Sequence, residues 1–256
     1  MDLALHGKRV LVSGAGAGIG LAIAEVFAQE GCSVSICSRT PATVAAAGER
    51  IATRLAAAAT VHTQVADMAQ GNAVRSWVES AAQALGGIDV LVHNASGGGG
   101  AGEEAWRRNI DVDVLGFAHF VEHATPHLER SASASVVALG STAAVEAFGN
   151  PAAPFGAMKA ALIHQCAGLA KTLAPQGIRV NAVSPGPILV EGGVWEKVQA
   201  ERPEYVEQVV AQIPSGRMGT AEEVARVVAF VASPAASLLT GANIVADGGL
   251  TKRIPI

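Results

Sequence analysis

Cysteines, aromatic residues and long apolar runs are all scarce in this chain of 256 residues. The three cysteines, Cys32, Cys37 and Cys166, form no Cys-x-x-Cys pair. Cys32 and Cys37 fall at the two ends of one predicted strand, too far apart when extended to bridge each other. No disulfide framework is available, and a reduced, cytoplasmic protein is expected. Basic clusters never exceed two or three residues and the net charge is −4, so an electrostatic footprint for nucleic acid is absent. Lys8-Arg9 and the apolar run to Ala24 superficially resemble a signal peptide. Four glycines interrupt that run, and Glu25 closes it one helical turn after Leu21. A strand, a turn and a buried helix explain it better, and no other segment reaches the length of a membrane span.

Half of the residues are hydrophobic, only 4% are aromatic and 29 are glycine. That composition suits one α/β domain over 1–256 with a large aliphatic core. Short aliphatic runs at 9–13, 33–37, 61–65, 89–93, 135–139, 179–183 and 243–246 read as strands. Alanine-rich stretches at 18–29, 41–58, 70–85, 103–129, 151–174 and 221–232 read as the helices between them. Strands apolar on both faces and separated by helices imply a Rossmann-type, doubly wound parallel sheet of about seven strands, with helices on both faces. The segment 185–217 breaks the alternation. It follows a strand's carboxyl end and contains Gly192-Gly193, Trp195, Pro203 and Tyr205, so it reads as a substrate lid or as an extra surface helix pair.

The first strand leads into Ser13-Gly14-Ala15-Gly16-Ala17-Gly18-Ile19-Gly20 and then into a helix. A glycine-rich turn there lets the backbone approach a pyrophosphate, and the helix N-terminus supplies free N–H groups. Its spacing, Gly-x-x-x-Gly-x-Gly, differs from the commoner Gly-x-Gly-x-x-Gly fingerprint.

Three further stretches share that spacing's affinity. They are His93-Asn94-Ala95-Ser96, then Asn181 through Pro185-Gly186-Pro187-Ile188, and Leu239-Thr240-Gly241 through Asp247-Gly248-Gly249. In this order and at these distances the chain resembles a classical short-chain dehydrogenase/reductase from Gly7 to Leu250. The resemblance implies hydride transfer between a nicotinamide cofactor and a carbonyl or alcohol carbon. It also implies a homodimer or homotetramer paired through the helices near 103–129 and 151–174. Candidate cofactor residues are Gly14, Gly16, Gly18, Ile19 and Gly20, then Asn94, Ala95, Lys159, Pro185, Gly186 and Ile188. Asp67 and Met68 match positions that contact adenine, although Asp67 also suits turn capping. Where NAD-dependent relatives often carry an aspartate, this chain has Ser38, Arg39 and Thr40. A guanidinium and two hydroxyls suit a 2′-phosphate, which favours NADP(H) over NAD(H).

The resemblance assigns catalysis to a tyrosine, a lysine, a serine and a supporting asparagine. Lys159 matches the lysine, one helical turn beyond Phe155, which occupies the tyrosine position. A phenyl ring carries no proton to give. The missing phenol is worth roughly 10²–10⁴-fold, or about 3–5 kcal/mol of barrier. Ser141 matches the serine with one residue of extra spacing to Phe155, while Thr142 has the usual spacing; both remain open. Asp113 stands in the asparagine register and would place negative charge near Lys159. Val190 and Gly140 replace a threonine and a serine common in relatives. Either Phe155 is a Tyr→Phe replacement in an active reductase, or it is native and the chemistry is lost or changed.

His119, His123 and His127 recur every four residues. Pro126 disturbs the last turn and no carboxylate cluster completes a site, so no metal is expected. Gly97–Gly100 is expected to form a flexible loop beside the nicotinamide.

Overall fold

The computed structural model describes residues 2–148 and 153–252. Its strands, numbered in chain order, are β1 (Arg9–Val12), β2 (Ser33–Ser38), β3 (Val61–Val65), β4 (Val90–His93), β5 (Ser135–Leu139), β6 (Arg179–Pro185), β7 (Ile188–Leu189), β8 (Gly219–Thr220) and β9 (Asn243–Ala246). Seven of them form one sheet in the order β3-β2-β1-β4-β5-β6-β9, with every neighbouring pair parallel. The strand order reverses between β1 and β4, which opens a crevice at their carboxyl ends where ligands bind in such sheets.

Strand alternation sorts the core into two layers. Val10, Val12, Ile36, Val90 and Val92 point to one face, where they meet Ile23, Phe27 and Val228 from α1 (Gly18–Gln29) and α9 (Ala221–Ala232). Leu11, Leu91, Val136 and Ala182 point to the other. There they meet Trp77, Phe120 and Leu162 from α3 (Gly71–Leu85), α5 (Gly116–Leu128) and α6 (Pro154–Leu173). Central strands buried on both sides explain why β1, β4 and β5 read as unbroken apolar runs.

Two helices differ from their sequence outlines. The stretch expected over 41–58 ends as α2 (Pro41–Ala52). Ile51 is its last buried anchor, and the alanines beyond have no apolar face to bury, so propensity alone does not extend the helix. The long helix expected over 103–129 comprises α4 (Gly102–Asn109), a π-helical segment (Ile110–Leu115) and α5. The helix expected from 151 begins at Pro154, and residues 151 and 152 lie outside the described ones.

Between β6 and α9 the chain forms α7 (Val194–Glu201) and α8 (Pro203–Gln212), while β7 pairs with β8. Val206, Ile213 and Met218 of this segment form a small core with Leu250 from beyond β9, and Trp195 packs against it. Trp195 stacks on Tyr205 with ring centroids 6.4 Å apart. Among the described residues, no helix is long and apolar enough to cross a membrane.

Candidate active site

A cavity of about 340 Å³ lies over the carboxyl ends of β1, β2 and β4, lined by Gly14, Gly16, Ser38, Arg39, Thr43, Asp67, Met68, Asn94 and Ala95, among others. Gly14 is in the left-handed region at φ 63°, and a Cβ there would lie 2.8 Å from Ala95 Cα. Only glycine permits both the turn and that close approach of the two strand ends. At the rim, a Cβ on Gly16 would fall 2.8 Å from Ser38 Oγ and 2.7 Å from Thr43 Cγ2. The cradle is thus shaped by missing side chains, which fits a nucleotide pressed against the backbone.

Helix α1 begins behind this cradle. Its N-cap, Ala17, is extended and offers no side-chain cap, so the first-turn N–H groups remain available to an anion. Helix α9, by contrast, closes its own N-terminus with a Thr220–Glu223 capping box.

Beneath the turn, the Ser13 hydroxyl accepts the backbone N–H groups of Asn94 and Ala95, each at 3.1 Å. Its own proton therefore points to His93 Nδ1, 3.3 Å away, which leaves the His93 hydrogen on Nε2. The Asn94 amide donates to the carbonyls of Ser13 and Gly14 at 3.2 and 3.0 Å. Burial pushes the His93 pKa down to about 3, while the Lys159 and Asp113 charges act in opposite directions. The ring lies against Phe117 and Phe120, and its buried Nε2 lacks a well-formed partner. It is neutral at every ordinary pH.

The second part of the site lies where β5 meets α6. Lys159 is 3% exposed, and its Nζ donates to the Leu139 carbonyl at 2.7 Å. The same nitrogen lies 2.9 Å from Asp113 Oδ1, an ion contact off the hydrogen-bond axis. Asp113 is fully buried on the π-helical segment, and its Oδ2 accepts the Gly97 N–H at 2.7 Å. The half-buried Phe155 ring has its centroid 5.8 Å from Lys159 Nζ. Ser141 follows β5 by two residues and caps a short 3-10 turn, its Oγ accepting the Ala143 N–H at 3.1 Å. That turn packs on the first turn of α6, where a Cβ on Gly156 would lie 2.6 Å from the Ala143 carbonyl oxygen. Thr142 is buried at 4% exposure, whereas Ser141 is half-exposed beside the helix. A second hollow of about 280 Å³ opens here, lined by residues 143–147 with Gly156, Ala157 and Ala160.

The glycine loop after β4 is held rather than free. Arg108 donates to the carbonyls of Gly97 and Gly99 at 2.6 and 2.8 Å, and Asn109 donates to that of Gly98 at 3.0 Å.

The remaining sequence candidates sit around these two centres. Gly18 lies at φ 61° near Val190, and a Cβ on Gly20 would strike the Asn94 amide. Ile19 packs against the core, Pro185 is buried at the end of β6, and Ile188 is buried in β7. Gly186 faces Asp247. Thr40 is the exposed N-cap of α2 and does not line the cavity; Thr43 does. Pro41 marks the start of α2 and so places Thr43 in its first turn. Asp67 lines the cavity and also caps its own turn, accepting the Ala69 N–H at 3.0 Å.

Residues 14–251 match the family model described as Enoyl-(Acyl carrier protein) reductase. The chain is 40% identical over 249 residues to isoepoxydon dehydrogenase patN of Penicillium expansum, covering 96% of this chain and 95% of that one. The chain belongs to the short-chain dehydrogenase/reductase family. Among solved structures, L-sorbose reductase from Gluconobacter frateurii, complexed with NADPH and L-sorbose, superposes with a TM-score of 0.92 at 26% identity, covering 99% of this chain and 100% of that one. An NADPH-bound short chain oxidoreductase from Pseudomonas aeruginosa PAO1, described as containing an atypical catalytic center, superposes with a TM-score of 0.87 at 30% identity, covering 97% and 99%.

In this short-chain dehydrogenase/reductase the turn capped by Ser141 packs on α6, the helix that carries Lys159. Position 155 presents a phenyl ring to Lys159, and the Lys159 ammonium is in contact with the Asp113 carboxylate.

Proposed function

We propose that this protein is an NADP(H)-dependent oxidoreductase that interconverts a ketone and a secondary alcohol, impaired because Phe155 stands at the proton-donor position. The observation that carries this reading is the intact cradle of Gly14, Gly16, Ser38, Arg39 and Ala95, set beside a buried Lys159. The cofactor, when bound, supplies or accepts the hydride. Gly14, Gly16 and the free N-terminus of α1 hold its pyrophosphate, and Asp67 and Met68 border its adenine. Ser38, Arg39 and Thr43 face its ribose 2′ position, where a guanidinium favours a phosphate. Lys159 would hold the nicotinamide ribose, and Ser141 would donate to the substrate oxygen. Likeness to proteins named as a dehydrogenase and a reductase supports this chemistry. The segment 185–217 is read as a substrate lid within one domain spanning 1–256. Exposed Trp106, Ile110 and Leu115 on the α4–π run suit a homodimer or homotetramer. A cytoplasmic location suits the three free cysteines.

The test is NADPH oxidation with a panel of ketones, run on this chain and on Phe155→Tyr. Restoring the phenol is expected to raise ketone reduction by roughly a hundredfold or more. A second reading, a non-catalytic NADP(H)-binding protein or a non-redox enzyme on the same scaffold, is favoured by the buried Asp113–Lys159 contact. NADPH binding without ketone turnover by either protein would select it.

A further inference from the structure

Two departures from the family pattern, Phe155 and Asp113, meet at one side chain. Lys159 Nζ lies 2.9 Å from Asp113 Oδ1 and 5.8 Å from the Phe155 ring centroid. Both charged groups are buried, Lys159 at 3% and Asp113 at 0% exposure. Water therefore screens neither, and opposite charges this close cancel at short range. We propose that Asp113 is a positioning residue that neutralises Lys159, so that position 155 sits in a field without net positive charge and the phenyl ring and the carboxylate form a matched pair. A phenol at position 155 would not be driven toward its anion by Lys159 while Asp113 remains.

The surroundings leave the pair in control of that field. From β4, His93 faces it as a neutral ring. From α4, Arg108 is committed to the carbonyls of Gly97 and Gly99. From the loop after β5, Glu146 lies against the start of α6 and accepts the Lys252 backbone N–H at 3.0 Å. The Glu146 charge is negative and cannot substitute for the cancelled ammonium. Asp113 is also fixed in place, because its second oxygen holds the Gly97 N–H at 2.7 Å. An asparagine of the same shape can keep that bond through its carbonyl oxygen while removing the charge.

The consequence depends on direction. In ketone reduction the phenol begins protonated whether or not Lys159 acts on it. In alcohol oxidation the phenolate must take the substrate hydroxyl's proton while the carbinol carbon gives its hydride to NADP+, yielding ketone, NADPH and neutral phenol. Oxidation at neutral pH therefore depends on how far the phenol's pKa is lowered, and reduction much less so. This kinetic arm rests on the ketone–alcohol reading; the titration below does not.

The experiment is ultraviolet titration of tyrosinate in the cofactor-free protein. The chain has a single tyrosine, Tyr205, so Tyr205→Phe supplies a silent background. Phe155→Tyr in that background is expected to titrate near the ordinary phenol value of about 10. Adding Asp113→Asn is expected to lower the midpoint by about one unit or more. The acid limb of kcat/KM for alcohol oxidation should move down with it. Removing both charges, Lys159→Met with Asp113→Asn, should leave the midpoint within about half a unit of Phe155→Tyr alone, and this variant leaves no unpaired buried charge to unfold the protein. A Phe155→Tyr midpoint already one unit or more below the ordinary value would overturn the proposal. So would no change on Asp113→Asn, or a clear rise when both charges are removed. If the titrations behave as expected and no alcohol is oxidised, only the ketone–alcohol reading fails.

Discussion

At the scale of single residues, the proposed function divides the site into a part that binds and a part that reacts. Arg39 belongs to the first: it is exposed at the cavity rim beside Ser38 and Thr43. Arg39→Ala is expected to weaken NADPH binding by about tenfold or more while leaving NADH nearly unchanged, because only the former loses a charge-assisted contact. Fluorescence titration of both nucleotides checks this, and equal losses for the two would remove Arg39 from the 2′ position. Gly14→Ala should abolish binding of both, since its Cβ would collide with Ala95. The sequence places Phe155 four residues before Lys159, and the proposal that it stands at a proton-donor position rests on the family resemblance. The Asp113–Lys159 contact was only half legible: register placed a carboxylate nearby, but direct contact depends on helix geometry that a one-dimensional motif does not carry.

At the scale of elements, the π-helical segment and the loop it supports are what the sequence concealed. A regular 3.6 periodicity across 103–129 reads as one helix. The wider turns of 110–115 bring Asp113 to the Gly97 N–H, and Arg108 and Asn109 hold the next carbonyls. Four glycines in a row suggested flexibility, yet the bonds that restrain them come from side chains about ten residues later in the chain. His93 at the end of β4 links this region to the glycine turn through Ser13. Its folded pKa, about 3, lies below the ordinary value near 6.5. The unfolded chain therefore binds a proton that the folded one refuses. The neutral ring's contribution is full above pH 6.5 and falls by at most about 1.4 kcal/mol per pH unit between there and 3. Urea unfolding at pH 7 and pH 5 should show a smaller loss in His93→Asn than in the parent, and an identical loss would mean that the ring is not held neutral.

Across the whole molecule, the alternation of elements made the doubly wound sheet legible, because strands buried on both faces, such as β1, β4 and β5, leave apolar runs of only four or five residues between turns, too short for helices. Less visible was the clasp joining β1 to β4. Asp89 accepts from the Arg9 side chain at 2.7 and 2.9 Å, from its backbone N–H at 2.9 Å, and from Ser131 at 2.5 Å. Burial alone would raise the Asp89 pKa, but these hydrogen bonds more than offset it and hold the carboxylate below its usual range. Its stabilisation is present above the unfolded value near 4 and is lost as pH falls through the lower folded value. Asp89→Asn should cost about 1.5–3 kcal/mol at neutral pH, read from urea midpoints, and an unchanged midpoint would remove the clasp from the stability account. Nothing in strand periodicity announces such a clasp, since it joins residues eighty positions apart.

The proposed function places an intact NADP(H) site beside a reaction centre without a phenol. Binding of NADPH and NADH to the chain as it stands tests this most directly, because neither substrate nor tyrosine is needed. NADPH is expected to bind at least about tenfold more tightly than NADH, a difference of about 1.4 kcal/mol. Failure to bind either nucleotide, or tighter binding of NADH, would contradict it.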